Sequence, residues 1–68
     1  MNLVEQLIEH FGGISETAHA LKVDRQLIDI WRKRGFIPWK RGEAVEKATG
    51  GKITALEVWQ AAANARHH

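Results

Sequence analysis

Residues 14–31, ISETAHALKVDRQLIDIW, decide the fold of this chain. Their apolar spacing predicts a short helix, a tight turn and a second helix. In such a unit a small residue lets the helices cross closely, while larger apolar residues fill the turn and anchor the second helix to the core. Residues of these kinds occupy the required positions: Ala18, Leu21, Val23, Ile28 and Trp31. We therefore predict a helix-turn-helix whose second helix turns its polar side outwards.

Capping residues predict where the two helices of this unit begin and end. Ser15 is expected to cap the first helix, over residues 16–21, and Asp24 to cap the second, over residues 25–34. Gly35 should end the second helix, since glycine accepts the left-handed conformation that closes a helix.

Three further helices flank this unit. Pro38 fits the first position of a helix, where its missing N–H costs nothing, and Thr54 with Glu57 forms a capping box. The expected boundaries are Asn2 to Gly12, Pro38 to Thr49, and Thr54 to about Asn64. Five helices joined by short links predict an all-α fold.

Length and composition limit the class of protein. A chain of 68 residues, 44% hydrophobic and 26% charged, predicts one folded domain over residues 1–68. The absence of cysteine excludes disulfides and thiolate chemistry. No apolar run is long enough for a bilayer span and no signal peptide is evident, so we expect a cytoplasmic protein. No catalytic set, phosphate loop or metal-ligand spacing occurs, and we expect no enzyme, cofactor, metal or small-molecule ligand.

The charge is distributed unevenly along the chain. The formal net charge is only +2, but residues 22–41 carry seven Lys and Arg against two Asp. Residues 1–21 carry three Glu and no Lys or Arg. A basic segment of this kind is typical of a surface that faces a polyanion, although a solvated charged face explains it equally well from charge alone.

The turn unit and the segments after it resemble a known family. The sequence around residues 14–31 looks like the helix-turn-helix of the phage Cro and repressor superfamily, particularly the YdaS-like group of small Cro-type regulators. In that group a tryptophan closes the recognition helix, a basic turn leads to Ile-Pro, and Ala-Thr-Gly-Gly-Lys precedes a capping threonine. The matching segments here are WRKRGFIP at 31–38 and EKATGGKIT at 46–54. The resemblance covers roughly residues 3–58 and implies a lambda-repressor-like domain that binds double-stranded DNA.

Two residues depart from the family pattern. The turn usually contains glycine with positive φ, whereas this chain has Lys22, at an expected cost of about 1 kcal/mol if that conformation is kept. Gly42 lies where a larger residue is common, and a glycine inside a helix costs about as much. Both departures predict a marginally stable domain.

The chemistry of the outward residues on the second helix predicts their roles at DNA. Arg25 matches guanine, Gln26 matches adenine, and Ile30 can touch a thymine methyl group. Asp29 either accepts from a cytosine amine or orients Arg25 through an i, i+4 pair, and we favour the second interpretation. The predicted base-contact residues are Arg25, Gln26, Asp29, Ile30 and Lys33.

A second group of residues is expected to contact the phosphate backbone. Side-chain hydroxyls and backbone N–H groups near a helix start are suited to phosphate, and Lys and Arg neutralise its charge. The predicted phosphate contacts are Ser15, Thr17, Lys22, Arg34, Lys40 and Arg41.

Two tryptophans each fit more than one role, and the histidines are assigned from their positions in the predicted structure. Trp39 fits a place over the core, beside DNA or in a dimer contact, and Trp59 presents a similar choice. We favour a homodimer contact for both, because a core this small is helped by a partner subunit. His10 and His19 are expected at separate surface sites, and His67 and His68 lie at the terminus, where they are consistent with cloning residues.

The leading hypothesis is a small Cro-type transcriptional repressor. It would bind a pseudo-palindromic operator as a homodimer, with one helix 25–34 in the major groove of each half-site. A second hypothesis is an antitoxin-like protein-interaction module that regulates its own operon, disfavoured because the chain lacks a disordered partner-binding tail. A third is an architectural factor such as an excisionase that bends DNA.

Overall fold

The computed structural model describes residues 1–65, and His67 and His68 lie outside the described residues. It contains five α-helices and a 3-10 turn, and within residues 1–65 no strand is present. The elements are α1 (Leu3–Phe11), α2 (Ile14–Leu21), α3 (Arg25–Arg34), the 3-10 turn Trp39–Arg41, α4 (Gly42–Ala48) and α5 (Ala55–Ala65). The expected all-α class is confirmed. No helix among these is long and apolar enough to cross a membrane.

The first helix begins and ends as its sequence predicts. The Asn2 side chain accepts from the Glu5 N–H at 2.9 Å, and the Glu5 carboxylate accepts from the Asn2 N–H at 3.1 Å. Gly12 then closes α1 in the left-handed conformation, with φ of 89°. Two orphan donors are therefore satisfied at one end, and glycine relieves strain at the other.

The start of α2 differs from the prediction. Gly13 occupies the N-cap position and Ser15 lies in the first turn, so Ser15 is not the cap. The Thr17 hydroxyl donates to the Gly13 carbonyl at 2.7 Å. The longer helix brings Ile14 into its first turn, where its half-buried side chain packs against the core.

Lys22 ends α2 in the left-handed conformation, with φ of 58° and ψ of 44°. Lys22 thus keeps the positive-φ conformation in which the family usually has glycine. It is the only non-glycine residue with positive φ between residues 1 and 65. Its N–H donates to the His19 carbonyl at 3.2 Å, and the Val23 N–H donates to the Ala18 carbonyl at 3.0 Å. The backbone bonds of a glycine-type turn thus form despite the Cβ of lysine.

The core lies where α1, α2 and α3 meet, and it extends under α4 and α5. Ile28 and Trp31 are its contribution from α3, and both are almost completely buried. The Trp31 indole N–H has no hydrogen-bond partner among the described residues. The remaining fully buried apolar members are Val4, Leu7, Ile37, Val45 and Val58.

The segment after α3 departs from the predicted helix boundary. Pro38 precedes a 3-10 turn rather than occupying the first position of an α-helix, and α4 begins only at Gly42. A Cβ on Gly42 would lie 3.2 Å from both the Cα and the carbonyl oxygen of Ala55. Gly42 is therefore at the first turn of α4, where the missing side chain lets α4 and α5 approach closely.

Two polar side chains, one at the end of α4 and one within it, fix the link to α5 and its first turn. The buried Thr49 hydroxyl donates to the Val45 carbonyl at 2.9 Å and accepts from the Ile53 N–H at 3.1 Å. The Glu46 carboxylate accepts from the Ala55 N–H at 2.7 Å, next to the predicted capping box of Thr54 and Glu57. The first turn of α5 is thus satisfied by its own cap and by a carboxylate from α4.

We expect Lys22→Gly to stabilise the protein by about 0.5–1 kcal/mol, because glycine removes the Cβ strain at positive φ and loses only part of that gain to chain entropy. Urea unfolding followed by circular dichroism measures the difference. Lys47→Gly, the same chemical change at a position inside α4, should lower stability by a similar amount. Loss of stability in both variants would contradict this account of the turn.

Gly42→Ala should destabilise by about 1 kcal/mol, because the added methyl group overpacks against the Ala55 backbone. Glu43→Ala introduces the same residue at the next position of α4, where the side chain is exposed, and should change stability little. Thermal unfolding of both variants tests this. A Gly42→Ala protein at least as stable as the parent would show that the α4–α5 approach does not require glycine.

Candidate nucleic-acid interface

The polar face of α3 is exposed, as the sequence predicts. Ile28 and Trp31 hold the other side of the helix in the core. Arg25 and Gln26 in the first turn and Lys33 in the last are exposed, and Ile30 is 43% exposed. A donor-rich helix surface with one apolar side chain among the polar ones is thereby presented outwards.

Residues from α2 lie beside the start of α3. Ser15 and His19 line one depression together with Arg25 and Gln26. Ser15 is exposed in the first turn of α2, where backbone N–H groups lack intrahelical partners and favour an anion. The structure therefore brings together a predicted phosphate contact and two predicted base contacts.

His19 joins this surface without having been predicted there. It lies four residues after Ser15 and so occupies the same side of α2. The i, i+4 spacing from Ser15 could have predicted the position of His19, because residues four apart on a helix lie on the same face.

Asp29 does not pair with Arg25, and the interpretation that it orients Arg25 is wrong. Its Oδ1 lies 2.6 Å from Nη2 of Arg32, and its Oδ2 lies 3.1 Å from Nζ of Lys33. A carboxylate N-terminal to a cation on the same helix is the favourable order, which explains the choice of partners. Hydrogen bonds from Arg32 and then Lys33 hold the pKa of the Asp29 carboxyl below its usual value.

Asp29 nevertheless stays beside the predicted base contacts. It lines a second depression with Ile14, Arg25, Gln26 and Ile30. Its carboxylate is one-third exposed, so the negative charge belongs to the outer surface of α3 rather than to the core.

Thr17 does not belong to the exposed surface. Its side chain is completely buried and its hydroxyl is used by the Gly13 carbonyl. The phosphate contact predicted for Thr17 is incompatible with this position. The prediction fails because Thr17 lies next to Ala18 and one turn before Leu21, so it shares the side of α2 that faces the core.

The other predicted phosphate contacts are exposed. Lys22 projects from the turn between α2 and α3, and Arg34 ends α3. Lys40 and Arg41 lie on the 3-10 turn, where the Lys40 ammonium group is 5.8 Å from the centre of the Trp39 ring. The basic segment of the sequence is therefore distributed over the turn, the end of α3 and the 3-10 turn.

Trp39 and Trp59 lie on a different surface from Gln26. Both are more than half exposed, and they line one groove of about 240 Å³. The other lining residues are Arg34, Phe36, Pro38, Ala62 and Ala63. The groove thus begins at the last residue of α3 and runs between the 3-10 turn and α5. Neither ring is buried in the core, and the three placements predicted for these tryptophans (over the core, beside DNA or in a dimer contact) stay open.

Comparison with known proteins identifies the family. No curated protein and no solved structure gives a significant match. The model of the P22 Cro family, described as DNA-binding transcriptional regulator Cro, matches residues 4–65. That match covers α1 from its second residue and all the later helices, and it includes the residues of the depression beside the start of α3 and of the groove lined by the tryptophans. The chain belongs to this family of phage Cro-type DNA-binding transcriptional regulators.

Proposed function

We propose that this regulator is a Cro-type repressor that recognises a specific operator through α3. The observation that carries this proposal is the exposure of Arg25 and Gln26 on a helix held in the core by Ile28 and Trp31. A helix mounted in this way can enter the major groove with its first turn facing the base edges. Occupation of promoter DNA in the cytoplasm of a bacterial or phage-infected cell would then block transcription.

The base contacts follow from the donor and acceptor pattern of each side chain. Arg25 donates two hydrogen bonds to a guanine, and Gln26 both donates to and accepts from an adenine. Ile30 contacts a thymine methyl group, Lys33 donates to a base acceptor further along, and Asp29 accepts from an amine. All five residues lie on the outer side of α3, which supports their joint assignment.

The phosphate contacts flank this helix. Ser15 at the start of α2 binds one phosphate through its hydroxyl and the adjacent N–H groups. Lys22, Arg34, Lys40 and Arg41 neutralise others, and each neutralised phosphate adds about 0.9 to the magnitude of the log–log salt slope. Thr17 has no part in this set because it is buried.

The proposed active form on DNA is a homodimer joined through the tryptophan groove. Exposed aromatic side chains that line one groove are typical of an association surface. The groove begins at Arg34, the last residue of α3. A second copy bound there would hold two recognition helices about one helical turn of DNA apart, which a pseudo-palindromic operator requires.

Gln26→Ala should relax sequence preference at one base position. We expect a loss of about 1–3 kcal/mol on the operator selected from a random DNA pool, because a bidentate base contact disappears. A scrambled duplex should lose little. Fluorescence anisotropy at a stated salt concentration, with selection repeated on the variant, measures both effects.

Lys40→Ala is the matched control for a phosphate contact. It should weaken binding to the operator and the scrambled duplex alike and reduce the salt slope by about 0.9. Equal losses on both duplexes for Gln26→Ala would argue against base readout by α3.

Trp59→Ala should weaken self-association by about 2 kcal/mol, the loss typical of a central aromatic at an interface. Sedimentation equilibrium measures this directly, and binding to a two-site operator should lose cooperativity while binding to an isolated half-site stays the same. Gln60→Ala, which removes an exposed neighbour outside the groove, is the control. A parent protein that remains monomeric on its operator, or that purifies with a stoichiometric partner protein in the groove, would overturn the homodimer.

A further inference from the structure

Asp29 is the only acidic residue of α3, and both of its carboxylate oxygens hold a cation. Arg32 approaches Oδ1 at 2.6 Å and Lys33 approaches Oδ2 at 3.1 Å. The three side chains form a cluster, here named the Asp29 clamp, that carries one net positive charge instead of two. They are 33–71% exposed, so the clamp is part of the surface of the helix.

The clamp faces the same way as the residues proposed to contact bases. Asp29 lines a depression with Arg25, Gln26 and Ile30 on the outer side of α3. If α3 enters the major groove, the carboxylate enters with it. It then approaches a groove whose walls are lined with phosphates, and like charges brought together without compensation are penalised.

The clamp also restrains two cations. Arg32 and Lys33 must leave the carboxylate before either can interact with DNA with its full charge, and leaving gives up both ion pairs and returns the part-exposed carboxylate to water. The free energy that these two side chains contribute to binding any duplex is therefore smaller than their charge implies. The same cost falls on every sequence.

Only certain sequences offset that cost. An exocyclic amine in the major groove, on cytosine or adenine, supplies the donor that Asp29 accepts from. When Asp29 faces a cytosine or an adenine, the carboxylate exchanges its cations for the amine of that base. Arg32 then becomes available to a phosphate, and Lys33 to the base acceptor proposed for it. When Asp29 faces a guanine or a thymine, which have no amine in the major groove, the carboxylate lies against an acceptor oxygen or nitrogen instead.

We propose that Asp29 is a specificity-determining residue that acts mainly by weakening the binding of α3 to DNA in which the base that faces Asp29 is guanine or thymine. This inference rests on the proposed function, since it requires α3 to lie in the major groove. It assigns to Asp29 a repulsive role, which is one of the two ways in which a protein separates correct from incorrect partners. Arg25 and Gln26 supply the attractive part.

The test compares Asp29→Asn with the parent protein on the selected operator and on a scrambled duplex. Asparagine keeps the size of the side chain and removes its charge. We expect binding to the scrambled duplex to tighten by about 3- to 10-fold at low salt, with its salt slope steeper by about 0.9 for each cation released. Binding to the operator should tighten less or weaken, so the ratio of the two affinities falls.

Two further variants separate the charge of Asp29 from other effects. Glu9→Gln removes one negative charge from the exposed side of α1, and it should leave the affinity ratio unchanged. Asp29→Glu restores the charge on a longer side chain and should keep the weak binding to scrambled DNA. Circular dichroism confirms that each variant remains folded.

The outcomes distinguish this inference from the proposed function. An unchanged affinity ratio in Asp29→Asn, or equal loss on both duplexes, overturns the repulsive role while sequence-specific binding by the parent protein stands. If the parent protein selects no sequence from a random pool, then the proposed function itself fails. A parent that selects an operator, with an Asp29→Asn variant that loses discrimination through tighter binding to the scrambled duplex, supports both. Discrimination lost only through weaker operator binding overturns the repulsive role.

Discussion

The burial of Ile28 and Trp31 is the constraint on which the rest of this structure depends. Both residues are on the inner side of α3, and both are almost completely buried against the core formed with α1 and α2. Apolar burial of two large side chains is worth several times the thermal energy. With that side held, the rotation of α3 about its axis is set, and Arg25 and Gln26 have to face outwards. The outward position of the surface proposed to read DNA is thus a consequence of hydrophobic packing, although none of its polar residues contributes to the core.

The turn at Lys22 sets the angle at which α2 and α3 meet, and it does so with a residue poorly suited to the conformation. Positive φ costs a non-glycine residue free energy, and here the cost falls on a lysine close to the proposed DNA surface. A glycine at this position would make the turn more stable but would offer no charge to a phosphate. Gly42 is the opposite case. Glycine weakens the start of α4, but its missing side chain permits the close contact between α4 and α5.

Charge on α3 is balanced more closely than the composition of the basic segment indicates. Seven cationic residues occupy positions 22–41, yet two of them are engaged by Asp29. An unrestrained basic helix would bind any duplex, whereas a regulator must leave most DNA unoccupied. Under the proposed role of Asp29, the ion pairs on α3 contribute to selectivity as well as to helix stability.

The sequence by itself determined the all-α class, the position of the helix-turn-helix, and which side of α3 is polar. These properties are local, since they follow from apolar spacing, caps such as Asn2 and Thr54, and glycines such as Gly35. Only the tertiary structure decided the start of α2, because Gly13 and Ser15 are both acceptable caps and the choice depends on packing Ile14 and Thr17. It also decided that Asp29 pairs towards the C-terminus, and that Trp39 and Trp59 line one groove although twenty residues separate them. These features depend on distances between side chains, which local sequence patterns do not give.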